Sequence, residues 1–145
     1  MYETKWTTET HSNTYKDAIK IRYEVFVDEQ NVPEDLEIDE LEDQSHHLVL
    51  YENGTPIGTA RIYHVSDNLY KMQRVAILKN KRGQGNGGKL IEAIELKVQH
   101  LQGQKITLGA QLHALPFYEK LGYLVEGPEF IDAGIPHREM TKTLI

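Results

Sequence analysis

The sequence contains no cysteine among its 145 residues. It therefore has no disulfide, no thiolate metal ligand and no cysteine nucleophile, a composition compatible with a reducing compartment. No apolar run approaches the roughly 20 residues that a membrane-spanning helix needs. The polar stretch at residues 1–13 also lacks the apolar centre of a signal peptide. We therefore expect a cytoplasmic protein with no membrane partner.

Positive charge is scarce as well. Sixteen Lys and Arg residues face 22 Asp and Glu residues, so the net charge is −6. The densest basic patch comprises Lys79, Lys81, Arg82 and Lys89, and a patch this short suits one anionic ligand better than a nucleic-acid duplex. We expect no nucleic-acid partner. We also expect no metal, because no set of His, Asp and Glu has the spacing of metal ligands.

Hydrophobic periodicity predicts a mixed α/β chain with more strands than helices. A length of 145 residues favours one domain with one core. The predicted order is β-α-β-β-β-α-β-α-β-β. The elements are a strand at 3–9, a helix over 13–29, a hairpin over 46–65, a strand over 69–78, a helix over 85–101, a strand over 105–112, a short helix over 114–122, and strands over 123–127 and 137–144.

A glycine-rich stretch, KRGQGNGGKL at 81–90, joins a predicted strand to a predicted helix. Three phosphate-binding patterns fit it: G-x-G-x-x-G, G-x-x-x-x-G-K and R-x-x-G-x-G. Amides without side chains let phosphate approach closely, and a helix N-terminus favours anions. All three patterns therefore predict a phosphate-bearing ligand. The alternative is a flexible turn in which the glycines serve only backbone shape.

Two of the three patterns require a further residue that this sequence does not have. A P-loop needs Ser or Thr after its Lys, but Leu90 follows Lys89. A dinucleotide-binding fold needs an acidic residue about 20 positions further on, and the strand at 105–112 contains none. The pattern of Arg82, Gly85 and Gly87 is therefore the one that we retain.

With this pattern the sequence resembles the GNAT superfamily of N-acetyltransferases. The matching parts are RVAIL at 74–78, the loop and helix at 82–95, and AQLHALPFYEKLGY at 110–123. Residues 21–50 resemble its ElaA/YjcF-like bacterial branch. The resemblance implies an α/β fold with a mixed, mostly antiparallel sheet that splays between its fourth and fifth strands, with helices on both faces. It also implies a single N-acetyltransferase domain over residues 1–145.

The resemblance further implies acetyl-CoA as cosubstrate. Its pyrophosphate would bind the backbone amides of the glycine loop, and Lys81 and Lys89 would add charge. The end of the strand before the loop would pair with the pantetheine arm, and Gln111 stands where many relatives have Asn. The implied cofactor-binding residues are Val75, Ala76, Ile77, Arg82, Gly83, Gln84, Gly85, Asn86, Gly87, Gly88 and Gln111.

Acetyl transfer requires a neutral amine, a donor for the oxyanion and a stabilised leaving thiolate. At pH 7 only about one alkylamine in a thousand is neutral. Tyr118 matches the position that often stabilises or protonates the leaving thiolate in this superfamily. Alternatively, Tyr118 is a structural residue of the core whose hydroxyl bonds to a local partner. Many relatives carry a glutamate base where this chain has Gln73, which cannot take a proton. The base must therefore come from elsewhere or act through water.

Acceptor-binding candidates lie in the first third of the chain and after the fifth strand. Arg22 and Glu29 share the inward stripe of the first helix, where they either form structural ion pairs or line the acceptor pocket. Asp39 belongs to the acidic segment 32–44, which either holds an amine cation or is simply solvated. Among His47, His64 and His113, the last lies nearest the expected chemistry.

The leading hypothesis is acetyl-CoA-dependent acetylation of a primary amine of a small molecule or peptide, by direct transfer in a ternary complex. The absence of cysteine argues against a thioester enzyme intermediate. One alternative is a non-catalytic CoA-binding sensor, which Gln73 favours. The other is an acyltransferase like the acyl-homoserine lactone synthases, which share the pattern of Arg22 and Phe26. Dimerisation is common in the superfamily, so a homodimer stays open.

Overall fold

The structure is a computed structural model that describes residues 1–144; residue 145, the last of the predicted domain, lies outside the described residues. Seven strands form one sheet in the order β1-β2-β3-β4-β5-β7-β6. The strands are β1 (Tyr2–Thr7), β2 (His46–Glu52), β3 (Thr55–Ser66), β4 (Leu69–Ile77), β5 (Lys105–Gln111), β6 (Leu124–Asp132) and β7 (Ile135–Thr143), and the helices are α1 (Asn13–Arg22), α2 (Glu34–Glu37), α3 (Asn86–His100) and α4 (Leu115–Lys120).

The predicted order of strands and helices is confirmed, with α2 added as a single turn in the acidic segment. The first helix differs from its prediction. Ser12 caps it by accepting a hydrogen bond from the backbone N–H of Tyr15 at 3.2 Å. After Arg22 the chain continues as a π-helix over Tyr23–Glu29. A π-helix carries more residues per turn than an α-helix, so the face predicted from α-helical spacing does not continue to Glu29.

Side-chain alternation along β2 divides the core between the two faces of the sheet. Leu48 and Leu50 pack in the larger cluster with Leu90 and Ile94 of α3. Val49 and Tyr51 pack in a smaller cluster with α1. Helices therefore cover both faces, as predicted. Within residues 1–144, no helix is long and apolar enough to cross a membrane.

The sheet opens where the parallel pair of β4 and β5 ends. Strands β4 and β5 pair from Leu69 opposite Lys105 to Met72 opposite Leu108, although both strands continue beyond this point. Arg74 lies at a shift in the β3–β4 register and has a φ of 58°. A bulge of this kind bends its strand and strengthens the local twist. The predicted splay between the fourth and fifth strands is confirmed.

Candidate functional site

The glycine loop before α3 exposes unpaired backbone amides. Gly83 and Gly85 have φ angles of 72° and 82°, a left-handed conformation that glycine adopts without strain. Gly85 is the N-cap of α3 and supplies no side-chain cap. The Asn86 side chain is buried and donates a hydrogen bond to the Lys81 carbonyl at 2.9 Å, which closes the loop. The first-turn amides of α3 have no intrahelical acceptor, so they can bind an anion.

The glycines of this loop meet different surroundings. A Cβ atom at Gly83 or Gly88 would have no heavy atom within 4 Å, so the loop is open to a ligand at both positions. A Cβ atom at Gly87 would lie 3.0 Å from the ring of Phe117, so this glycine lets α4 approach α3. The side chain of Gln84 turns back and donates to the Asn80 carbonyl at 3.2 Å.

Arg82 connects the loop to two other elements. Its guanidinium donates two hydrogen bonds to Glu29, at 2.6 and 2.7 Å. Its Nε donates to the Ile77 carbonyl, at the end of β4, at 2.9 Å. The hydrogen bonds from Arg82 lower the pKa of Glu29. Glu29 therefore faces the glycine loop, and it does not line the cleft described below.

The two lysines beside the loop also have partners. Lys81 Nζ lies 2.6 Å from a carboxylate oxygen of Glu52. Lys89 Nζ lies 4.3 Å from the ring centroid of Tyr2, in a cation–π arrangement. Both contacts are on the protein surface, where a doubly charged phosphate group competes effectively with a single carboxylate or ring.

A cleft of about 500 Å³ lies where β4 and β5 separate. It is lined by the two strand ends, the segment after the π-helix, α4 and the β6–β7 hairpin. The β5-facing backbone of β4 is unpaired with β5 beyond Met72, so it can pair with an extended ligand as an added strand. The predicted site residues that line the cleft are Asp39, Val75, Gln111, His113 and Tyr118.

Ala76 and Ile77 do not line this cleft with their side chains. Ala76 is buried in the cluster that holds α1, and Ile77 packs against the larger core cluster. Any contribution of these two residues to ligand binding therefore comes from their backbone.

Tyr118 faces the cleft from α4. Only 6% of its surface is exposed, and burial raises the pKa of its phenol. Its ring makes edge contacts with Phe117 and Tyr123 at centroid distances of 5.0 and 5.8 Å. A phenol with a raised pKa stays protonated at neutral pH, so it can donate a hydrogen bond to a developing anion.

Gln73 lines the cleft at the position where many members of the GNAT superfamily carry a glutamate base. Its Oε1 accepts hydrogen bonds from Nε and Nη2 of Arg61, at 3.1 and 2.7 Å. Arg61 is fully buried. The carbonyl oxygen of Gln73 is therefore committed to Arg61, and the side chain presents no group that accepts a proton.

Arg22 is buried in an ion-pair network and does not line the cleft, which favours a structural ion pair over a contact with the acceptor. It is 1% exposed, and it lies 2.8 Å from both Glu37 and Glu42. Burial alone would lower the pKa of Arg22, but the hydrogen bonds and charges of Glu42 and Glu37 outweigh it and raise the pKa. Its partners are in the acidic segment because the π-helix turns Glu29 towards the glycine loop.

Asp39 joins the same network at the edge of the cleft. Its carboxylate lies 2.8 Å from Arg61 and 3.2 Å from Arg74. Burial would raise the pKa of Asp39, but hydrogen bonds from Arg61 lower it to about 2. Asp39 is therefore ionised at neutral pH and a poor proton acceptor. Arg74 also contacts Glu37 at 3.1 Å, so the network ties the acidic segment to the bulge of β4.

The end of β5 is tied to the first-helix region. Gln111 Nε2 donates to Oε1 of Gln30, just after the π-helix, at 3.0 Å. His113 follows in an exposed turn and lines the cleft. Sequence analysis did not select His137, which lines the cleft from β7. Its position opposite Gln111 depends on the pairing of β5 with β7, which residue spacing does not reveal.

Residues 1–144 contain no group of three or more His, Asp or Glu side chains placed to hold a metal ion. The groups that line the cleft are hydrogen-bond donors, one phenol, two histidines and several paired charges.

Comparison with known proteins places this arrangement in a family. The GNAT acetyltransferase domain model matches residues 9–144. The uncharacterized N-acetyltransferase YjcF of Bacillus subtilis is 45% identical over 128 residues, which cover 88% of this chain and 91% of YjcF. Protein ElaA of Escherichia coli is 30% identical over 131 residues, which cover 88% of this chain and 86% of ElaA.

Solved structures agree with the sequence matches. The crystal structure of Escherichia coli ElaA has a TM-score of 0.87 at 26% identity and covers 98% of this chain and 99% of ElaA. An aminoglycoside 6′-N-acetyltransferase complexed with coenzyme A shares the fold, with a TM-score of 0.77 at 16% identity over 100% of this chain and 97% of that chain. The chain therefore belongs to the GNAT acetyltransferase family, and its similarity to YjcF and ElaA matches the ElaA/YjcF-like branch predicted from residues 21–50.

Proposed function

We propose that this protein is an acetyl-CoA-dependent N-acetyltransferase that transfers the acetyl group directly to a primary amine of a small molecule or peptide. One observation carries the proposal: the glycine loop contacts β4 and α4, two of the elements that line the cleft. Arg82 bonds to the Ile77 carbonyl at the end of β4, and Gly87 packs against Phe117 beside Tyr118. A ligand whose diphosphate binds the loop can therefore extend its other end to Tyr118.

The loop suits the diphosphate of CoA. Its first-turn amides, its left-handed glycines and the open space at Gly83 and Gly88 provide an anion site without side-chain obstruction. The unpaired edge of β4 suits the two amides of pantetheine. The CoA complex of an aminoglycoside acetyltransferase with the same fold supports this assignment. Bound acetyl-CoA would supply the thioester.

Tyr118 would act on the leaving group. As the carbon–sulfur bond breaks, negative charge develops on sulfur, and a nearby hydrogen-bond donor stabilises it. Because burial raises the pKa of this phenol, complete proton transfer from Tyr118 to a thiolate is uphill. Hydrogen-bond donation is therefore the role that we assign to it, and the thiolate takes its proton from solvent.

The acceptor would enter from the face of the sheet that carries α1. Asp39 and His113 line the cleft there and are the proposed acceptor contacts. Arg22 would hold the acidic segment in place through its ion pairs with Glu37 and Glu42. Glu29 would act on the donor side through Arg82.

The test combines calorimetry with a turnover assay on the purified full-length chain. We expect CoA and acetyl-CoA to bind more tightly than ADP, because ADP offers the diphosphate but no pantetheine arm. We also expect thiol release with at least one amine in a panel of alkylamines, amino sugars, polyamines and peptide N-termini. Absence of binding to CoA refutes the proposal. Tight binding without turnover on any amine favours a non-catalytic sensor, which the lack of a base at Gln73 also favours.

A further inference from the structure

The proposed reaction needs a proton acceptor, because an alkylamine is almost wholly protonated at pH 7. The carboxylates around the cleft are unsuitable. Glu37 is buried and bonded to Arg22 and Arg74. Asp39 has a pKa of about 2 because hydrogen bonds from Arg61 outweigh its burial. Asp132 is exposed at the tip of the β6–β7 hairpin, where no side-chain hydrogen bond within residues 1–144 fixes its carboxylate towards the cleft.

The other titratable groups that line the cleft reduce the choice to two histidines. Lys71 and Arg74 are cations, and Tyr118 is a protonated phenol. His113 and His137 remain, and imidazole accepts a proton near neutral pH. His113 lies in an exposed turn, and within residues 1–144 no hydrogen bond or ring contact orients its ring.

We propose that His137 is the general base of the acetyl transfer; this inference rests on the proposed function. The His137 ring lies 2.7 Å, at Nδ1, from the Ile135 carbonyl. Since a carbonyl only accepts, Nδ1 carries the hydrogen in the neutral ring, and the lone pair is on Nε2. The ring also stacks on Phe130, with centroids 5.7 Å apart and planes at 24°. Both contacts fix its orientation.

Sheet register places this base on the acceptor side of the gap. His137 is opposite Gln111, and residues directly opposite one another project from the same face of a sheet. Lys71 is opposite Thr107 in the parallel pair of β4 and β5. Side chains two residues apart on a strand project from the same face, so Gln73, two residues after Lys71, shares a face with Gln111, four residues after Thr107. His137 thus faces the gap from β7, whereas Gln73 flanks it from β4. The β4 side of the gap has no base because Gln73 cannot take a proton, and the imidazole of His137 on the β7 side provides one.

The reaction then balances as follows. Nε2 of His137 first takes a proton from the bound ammonium and passes it to solvent, which leaves the amine neutral. The amine nitrogen then forms a bond to the thioester carbon, and the carbonyl π electrons move to oxygen. Nε2 of His137 takes one N–H proton. The oxyanion re-forms the carbonyl, the carbon–sulfur bond breaks, and its electron pair leaves on sulfur, with Tyr118 donating a hydrogen bond. Imidazolium and thiolate exchange protons with solvent, so that amine plus acetyl-CoA gives amide plus CoA.

The experiment compares His137→Asn and His137→Gln with the wild type, using the best amine from the panel and its alkoxyamine analogue, which is neutral at pH 7. Asn keeps a donor near the place of Nδ1, and neither variant has a base. We expect kcat/KM for the alkylamine to fall by about 100-fold or more at pH 7, and by less than about 10-fold for the alkoxyamine. We expect CoA affinity to be unchanged. His64→Asn is the matched control, since the exposed His64 near the end of β3 bonds to the Asp67 carbonyl, contacts the Tyr70 ring and does not line the cleft, and it should behave like the wild type.

The pH profile adds a second readout. In the wild type, the profile of kcat/KM should bend to a steeper fall at low pH than protonation of the amine alone gives, and in both variants this inflection should disappear. An equal loss for both nucleophiles, or a retained inflection, would overturn the role of His137 while leaving the proposed function intact. If the wild type acetylated no amine, the proposed function and this inference would both fail. Calorimetry and thermal melting show whether either His137 variant is misfolded. If one is, the other variant tests the role of His137.

Discussion

Replacing Gly88 with alanine should separate ligand binding from folding. Gly88 is the third residue of α3, its φ is not in the left-handed region, and a Cβ atom there would meet nothing within 4 Å. The fold therefore accepts a methyl group. Alanine is also favoured over glycine in a helix by about 0.5–1 kcal/mol. For a chain of this size, such a gain raises the melting temperature by about 2–4 °C.

The same methyl group should impair binding of CoA. Cβ atoms of a helix tilt towards its N-terminus, so the methyl of Gly88→Ala would occupy space beside the amides that we assign to the diphosphate. We expect the Kd for CoA to rise at least tenfold, which corresponds to a loss of about 1.4 kcal/mol. Titration calorimetry measures the affinity, and thermal melting without ligand measures the stability.

Gln99→Ala serves as the matched control, because Gln99 is an exposed, uncharged residue at the far end of the same helix. It should leave the affinity for CoA unchanged. An unaltered Kd in Gly88→Ala, with the expected rise in melting temperature, would show that the diphosphate does not bind at this end of α3. The assignment of the glycine loop would then be refuted.

Three further changes test the rest of the site. Tyr118→Phe should lower kcat by about 100-fold with no change in CoA affinity by calorimetry; an active variant would return Tyr118 to a structural role. Arg22→Ala should reduce the free energy of unfolding by about 3–5 kcal/mol in urea titrations, because it leaves Glu37 and Glu42 buried without their partner; a loss below about 1 kcal/mol would contradict this network. Asp39 has a folded pKa of about 2, below the value of about 3.9 for an unfolded chain. Its stabilisation is therefore present above about pH 4 and should be lost as pH falls towards 2, which melting curves across that range would show; a flat profile would count against it.

The element order and the glycine loop could be predicted from the sequence because both are local. Apolar spacing gives the approximate extent of most helices and strands, so α3 is predicted at 85–101 and observed at Asn86–His100. The backbone conformation of the loop follows in the same way, since the left-handed φ angles of Gly83 and Gly85 favour glycine, whereas anion binding by the loop stays a prediction.

The composition of the cleft was decided by tertiary structure. Arg22 finds Glu42, 20 residues away, rather than Glu29 on its own predicted stripe, because a π-helix alters the phase of the helix after residue 22. Gln111 meets Gln30 across 81 residues. His137 faces the cleft only because β7 inserts between β5 and β6 in a particular register. Periodicity states which face a side chain takes within its own element, whereas its partner across the sheet depends on how distant strands pair, and no local pattern encodes that pairing.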